Sequence, residues 1–231
     1  MKKLFLLFFL TISSFSFSQN EYFLAESYYR EGEYEKASQV FKKLYSKSPF
    51  NTAYLSRLIS CYQETEQFLV AENLLKSKIK KSPNHGYLYV FLGYNYDRQK
   101  QKELAKNNYE FALKSIDKNH SYGGIIGRTF KDYNLLDYAI LAYEKVMAKN
   151  ENTNYSFQIA QIYGEKGDFK KMFESYIDLV DKNIDYYNLV QRYASRYITD
   201  DSENEANILF RKTLLRKSAS NPKDVWNVLL S

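Results

Sequence analysis

A chain of 231 residues with 45% hydrophobic and 26% charged side chains has the composition of a folded globular protein and excludes a disordered tail. Three prolines and eight glycines exclude collagen-like and low-complexity sequence, and they leave too few turn signals for a many-stranded sandwich or barrel. The single cysteine excludes an intramolecular disulfide framework and a multi-cysteine metal or redox site, and the formal charge of +6 becomes mildly basic once Lys2 and Lys3 are set aside with the segment they begin.

That first segment, residues 1–18, reads as a secretory signal peptide. Lys2 and Lys3 precede an apolar run from Leu4 to Leu10, and small Ser16 and Ser18 suit a cleavage site before Gln19. The run is too short to span a bilayer, which takes about 20 apolar residues, so an uncleaved anchor is disfavoured. Lipidation would need a cysteine directly after the run, and the only cysteine is Cys61. The mature chain is expected to be exported, to a periplasm or outside the cell, with no stable membrane span.

From residue 19 onward the chain repeats. Aromatic residues recur at Tyr28, Tyr62, Tyr96, Phe130, Tyr163 and Tyr197, with spacings of 34, 34, 34, 33 and 34. Ala37, Ala71, Ala105 and Ala139 keep the same period, Met172 interrupts it and Ala206 restores it. Four residues after each stands a bulky partner: Phe41, Leu75, Tyr109, Tyr143, Tyr176 and Phe210. Leu24, Leu58, Leu92, Ile126 and Ile159 precede their aromatics by four residues, which puts each pair on one face of a helix. Beside them run Ala25, Gly93, Gly127, Ala160 and Ala194, with Ile59 as the exception. Polar breaks such as Arg30-Glu31-Gly32-Glu33 separate a first helix from a second, which in the first unit is predicted from about Tyr34 to Ser46. Pro49 and Pro83 stop two second helices.

Leu24-Ala25-x-x-Tyr28 with Ala37-x3-Phe41 and Pro49, and Leu92-Gly93-x-x-Tyr96 with Ala105-x3-Tyr109, resemble the tetratricopeptide repeat, a 34-residue helix-turn-helix unit. The resemblance implies an all-α, right-handed α-solenoid of antiparallel helix pairs over residues 19–231. About six repeats are expected, beginning near Ser18, Thr52, Gly86, His120, Thr153 and Tyr187. Units five and six fit least well, because of Met172 and the polar stretch Thr199–Glu205. Trp226-Asn227-Val228-Leu229 reads as the start of a seventh unit, and its apolar residues are poor material for closing a stack. The expectation is that this last helix docks on another chain or on further C-terminal sequence.

Chemistry is hard to find. His85 and His120 lie at unit junctions without a metal-ligand partner at the right spacing. Gly123-Gly124-Ile125-Ile126-Gly127 lacks the lysine and hydroxyl residue of a phosphate loop. Gly127 reads as a small-residue seam position, while Gly123 and Gly124 are expected to loosen the first helix of unit four. Cys61 reads as a packing residue. The clusters around Lys76–Lys81 and Arg211–Lys217 fall toward second-helix ends, where cations offset helix carbonyls, so nucleic acid is disfavoured as a partner. No enzymatic activity and no cofactor are implied.

What the resemblance does imply is a concave face lined by first helices. Carried over, it holds Tyr22, Glu26 and Tyr29, then Gln63, then Tyr87, Tyr94 and Asp97, then Arg128 and Lys131, then Phe157 and Gln161. The family's lysine and asparagine carboxylate clamp is not reproduced, since Tyr22 and Glu26 stand where it would begin. A non-catalytic scaffold for a peptide or protein partner is the leading expectation. The alternatives are the N-terminal part of a larger sensory or enzymatic protein, and a glycan or cell-wall binding module using the tyrosines as sugar platforms.

Overall fold

The structure, a computed structural model, describes residues 20–150 and 152–230. The expected signal peptide therefore lies outside the described residues. Among those described there is no strand. First helices α1 (residues 20–30), α3 (Thr52–Glu64), α5 (Gly86–Arg98), α7 (Gly123–Asp132), α9 (Ser156–Glu165) and α11 (Tyr187–Ala194) alternate with second helices. The second helices are α2 (Tyr34–Lys47), α4 (Phe68–Lys81), α6 (Lys102–Lys118), α8 (Leu136–Lys149), α10 (Phe169–Lys182) and α12 (Glu205–Ser220), and α13 (Asp224–Leu230) follows. The chain divides into two compact units, one ending at Ala112 and the other beginning at Leu113.

The first five hairpins turn by the same device. Residues 32, 66, 100, 134 and 167 all have positive φ, between 56° and 77°. Gly32 and Gly167 reach that region without a Cβ penalty, whereas Glu66, Lys100 and Asn134 reach it against one. The return is a Schellman-type closure: the next residue's N–H donates to the carbonyl of the recurring aromatic, as in Glu33 to Tyr28 at 2.8 Å, Gln101 to Tyr96 at 2.9 Å and Asp168 to Tyr163 at 2.9 Å. The period seen in the aromatics is thus also the period of the backbone turn.

The seams follow from side-chain size. Ala37, Ala71, Ala105 and Ala139 are all buried. A Cβ placed on Gly93 would run into Cε1 of Tyr109, and one on Gly127 would stand 2.5 Å from Cε1 of Tyr143, so these glycines exist because an aromatic ring from the second helix lies flush against the first. The irregular second hairpin keeps the balance in reverse, with larger Ile59 in the glycine position and smaller Leu75 in the ring position, both fully buried. In the fifth hairpin Met172 is buried in the alanine position, and its Sδ lies where a Cβ on Gly164 would come within 2.7 Å. The substitution is accommodated across the hairpin rather than by loosening it.

Two expectations are corrected. Gly123 and Gly124 do not loosen α7: Cβ atoms there would collide with the Val146 side chain and the Tyr155 hydroxyl, so both glycines permit close approach at the helix start. The sixth first helix ends at Ala194, and Tyr197 falls in the turn beyond it, its ring 5.3 Å from that of Phe169. In the last helix Trp226 is fully buried in the core of the second unit, and its indole N–H donates to the Asn221 carbonyl at 2.8 Å, while Val228 is more than half exposed.

Candidate functional site

In the first unit, α1 and α3 lie side by side across α2, and the first-helix residues singled out from the sequence divide into two clusters. Tyr22 is half-buried, its ring 5.7 Å from Tyr54 and edge-on to Phe41 at 6.3 Å. Glu26 is 8% exposed, and its carboxylate accepts from Arg57 Nε at 2.7 Å and Nη2 at 3.0 Å. The guanidinium of Arg57 lies 4.4 Å over the ring of Tyr29, which also meets Tyr34 edge-on. One arginine therefore joins two of the three α1 residues through a two-point ion pair and a cation–π contact. Burial pushes the Tyr22 hydroxyl above its ordinary pKa, with the nearby Glu26 charge adding to it, and burial does the same to Tyr29. These phenols stay neutral hydrogen-bonding groups.

The second cluster is on α3 and α5. Arg98 Nη1 donates to Glu64 Oε1 at 2.9 Å, and Arg98 also bonds the hydroxyl of half-buried Tyr94, one turn before it on α5. Asp97 is exposed beside this network. Gln63 and Tyr87 are not brought to either surface. Gln63 is fully buried, with its amide donating to the Phe91 carbonyl at 3.2 Å, and Tyr87 is buried with its ring stacked on His85. Their periodic positions are those of the face, but Gln63 is covered by α5, and Tyr87 sits at the start of α5 among the turns that follow α2 and α4.

In the second unit Arg128 is exposed, Lys131 pairs with Glu165 at 2.9 Å, and Gln161 is half-buried. Phe157 packs edge-on to Tyr193 at 4.8 Å and close to Tyr176, which makes it largely a core residue. Arg57, Glu64, Arg98 and Glu165 were not picked out from the sequence. The available signal was opposite charge on successive first helices, 31 residues apart for Glu26 and Arg57 and 34 apart for Glu64 and Arg98 and for Lys131 and Glu165.

Among the described residues no group of three or more histidine, cysteine, aspartate or glutamate side chains is placed to hold a metal ion, and no helix is long and apolar enough to cross a membrane. Cys61 is fully buried, and desolvation pushes its thiol up to about 12. Of the basic clusters, Lys76 pairs with Glu72, Arg216 with Glu174, and Lys217 with Asp178 and Asp181.

The five Schellman turns and the ring-on-glycine seams, repeating at 34 residues, decide the repeat type. The hairpins are of the tetratricopeptide type. No protein-family model matches the chain, and no curated protein does. Solved structures similar to it include a tetratricopeptide-repeat protein of Thermus thermophilus, 20% identical over 77% of this chain and 97% of that one, TM-score 0.42. Another is the C-terminal part of a repeat-containing protein of Cytophaga hutchinsonii, 18% identical over 85% of this chain and 79% of that one, TM-score 0.37. A third is YrrB, described as having an unusual peptide-binding site, 16% identical over 74% and 88%, TM-score 0.35.

Proposed function

We propose that this tetratricopeptide-type chain is a non-catalytic scaffold that binds a peptide or protein partner on its first-helix faces, and that it works after export, in the cell envelope or outside the cell. The observation that carries the reading is the pair of clusters in the first unit. Tyr22, Tyr29 and Tyr94 keep part of their surface open while Arg57 and Arg98 fix their neighbours in place. Tyrosines held this way offer large contact area and a hydroxyl at little further entropic cost, which suits an extended or helical segment. Export is supported by the charged start, the short apolar run and the serines before Gln19.

The test is affinity capture from envelope extract with wild type and with Tyr22→Ala/Tyr94→Ala, the circular dichroism of the two proteins being matched first. Partners that are lost from the variant and rebind as purified components support the first-helix face; identical partner lists refute it. Terminal sequencing of the mature protein tests export, with Gln19 the expected first residue and an intact Met1 the contrary result.

A further inference from the structure

Apart from the first-helix faces, the first unit carries a small cleft where the ends of α2 and α4 meet the turns that follow them. Its volume is about 130 Å³, several times the ~30 Å³ of one water molecule, which suits a single anionic head group. Lys78, Lys81 and His85 line it, together with the rings of Tyr45, Phe50 and Tyr87, and no aspartate or glutamate does.

The cleft holds charge without a counter-charge. At the ends of α2, α8 and α12 neighbouring lysines share a carboxylate within the protein: Lys43 and Lys47 on Glu21, Lys145 and Lys149 on Asp117, Lys217 and Lys223 on Asp181. In the cleft, Lys78 donates only to the Pro49 carbonyl at 3.2 Å while lying 4.7 Å over the ring of Tyr45. Among the described residues neither Lys78 nor Lys81 forms an ion pair. A second observation is independent of charge. Tyr45 is 8% exposed, and its hydroxyl is buried without a hydrogen-bond partner among the described residues, a donor that the fold leaves unused. On the rim, Phe50 is 96% exposed, an apolar ledge beside the cations.

We propose that this cleft anchors an acidic residue of a partner protein, its carboxylate held between Lys78 and Lys81 and an adjoining apolar side chain resting on Phe50. A free hydrated anion would gain nothing from the Phe50 ledge, whereas an acidic residue next to an aromatic or aliphatic one uses both halves of the site. The site is independent of the first-helix clusters, since none of its residues belongs to them.

The test is fluorescence anisotropy with the mature chain and the capped peptide Gly-Ser-Phe-Glu-Phe-Ser-Gly carrying a neutral dye, against the same peptide with glutamine for glutamate. Wild type is expected to prefer the glutamate peptide by about tenfold at low salt, the range of a charge-assisted hydrogen bond. Lys78→Gln/Lys81→Gln is expected to erase that preference with unchanged circular dichroism. Phe50→Ala, which removes an exposed side chain and leaves the core intact, is expected to weaken both peptides about threefold and keep the preference. Equal affinity of the two peptides for wild type, a preference that survives the double glutamine variant, or no effect of Phe50→Ala would overturn the proposal.

Discussion

Replacing Gly127 with alanine tests the seam rule directly. The added Cβ would lie 2.5 Å from Cε1 of Tyr143 and 2.8 Å from both Cδ1 and Cζ, three ring atoms of a side chain that is 4% exposed and stacked on Tyr155 at 4.6 Å. The ring has no free end to swing aside, so α7 and α8 must separate or the ring must leave its rotamer. Three contacts this deep put the cost near the upper end of the overpacking range, ~3 kcal/mol. Alanine's better helix propensity returns ~1 kcal/mol, leaving a net loss of ~2 kcal/mol. For a unit of this size that is a melting temperature lower by about 8 °C. Tyr143→Leu alone removes the ring and leaves a void beside Gly127, costing ~2–4 kcal/mol. The double variant recreates the kind of pairing that Ile59 and Leu75 already form in the second hairpin, so the two changes should couple favourably by at least ~1 kcal/mol. Urea unfolding followed by circular dichroism measures all three. A Gly127→Ala protein as stable as wild type, or more stable by the propensity difference, would refute the reasoning, as would strict additivity in the double variant.

Four further outcomes follow from the same structure. Lys100 holds a φ of 62° in its turn, so Lys100→Gly is expected to raise stability by up to ~1 kcal/mol in thermal melts, and a lower melting temperature would count against strain at that residue. Hydrogen bonds from Lys217 and Lys223 hold the Asp181 carboxyl below its ordinary range; the stabilisation is therefore present above the unfolded value of about 4 and lost as pH falls through the lower folded value. Between about pH 4 and pH 2 wild type should lose stability more steeply than Asp181→Asn, and parallel curves would contradict the pairing. Cys61, buried and with its thiol pushed up to about 12, should resist a chromogenic disulfide reagent at pH near 8 until the first unit opens, whereas immediate stoichiometric reaction would show the burial to be wrong. Trp226 is the only tryptophan, so native emission should be blue-shifted and should shift red when the second unit unfolds; water-exposed emission from the folded protein would mean that α13 is undocked.

Much of the candidate surface was legible as position, and less of it as availability. Tyr22, Tyr29, Tyr94 and Asp97 could be placed on first helices by counting along the 34-residue period, and so could Arg128, Lys131 and Gln161. Counting could not show that the carboxylate of Glu26 is spent on Arg57, or that Gln63 and Tyr87 are covered by neighbouring structure. A helical period fixes which way a side chain points from its own axis. Whether that direction leads to water depends on a hairpin about 30 residues away.

The sequence by itself determined the helical class, the length of the repeat, the alternation of first and second helices and the small-residue seams, because each of these is a local pattern repeated often enough to survive an exception. Only the tertiary structure decided how the exceptions are absorbed: Met172 against Gly164, Ile59 with Leu75, Gly123 and Gly124 against Val146 and Tyr155, and Trp226 sealed into the second unit. Those outcomes rest on close packing, where a few tenths of an ångström between side chains distant in sequence separate a filled seam from a clash, and no single helix carries that information.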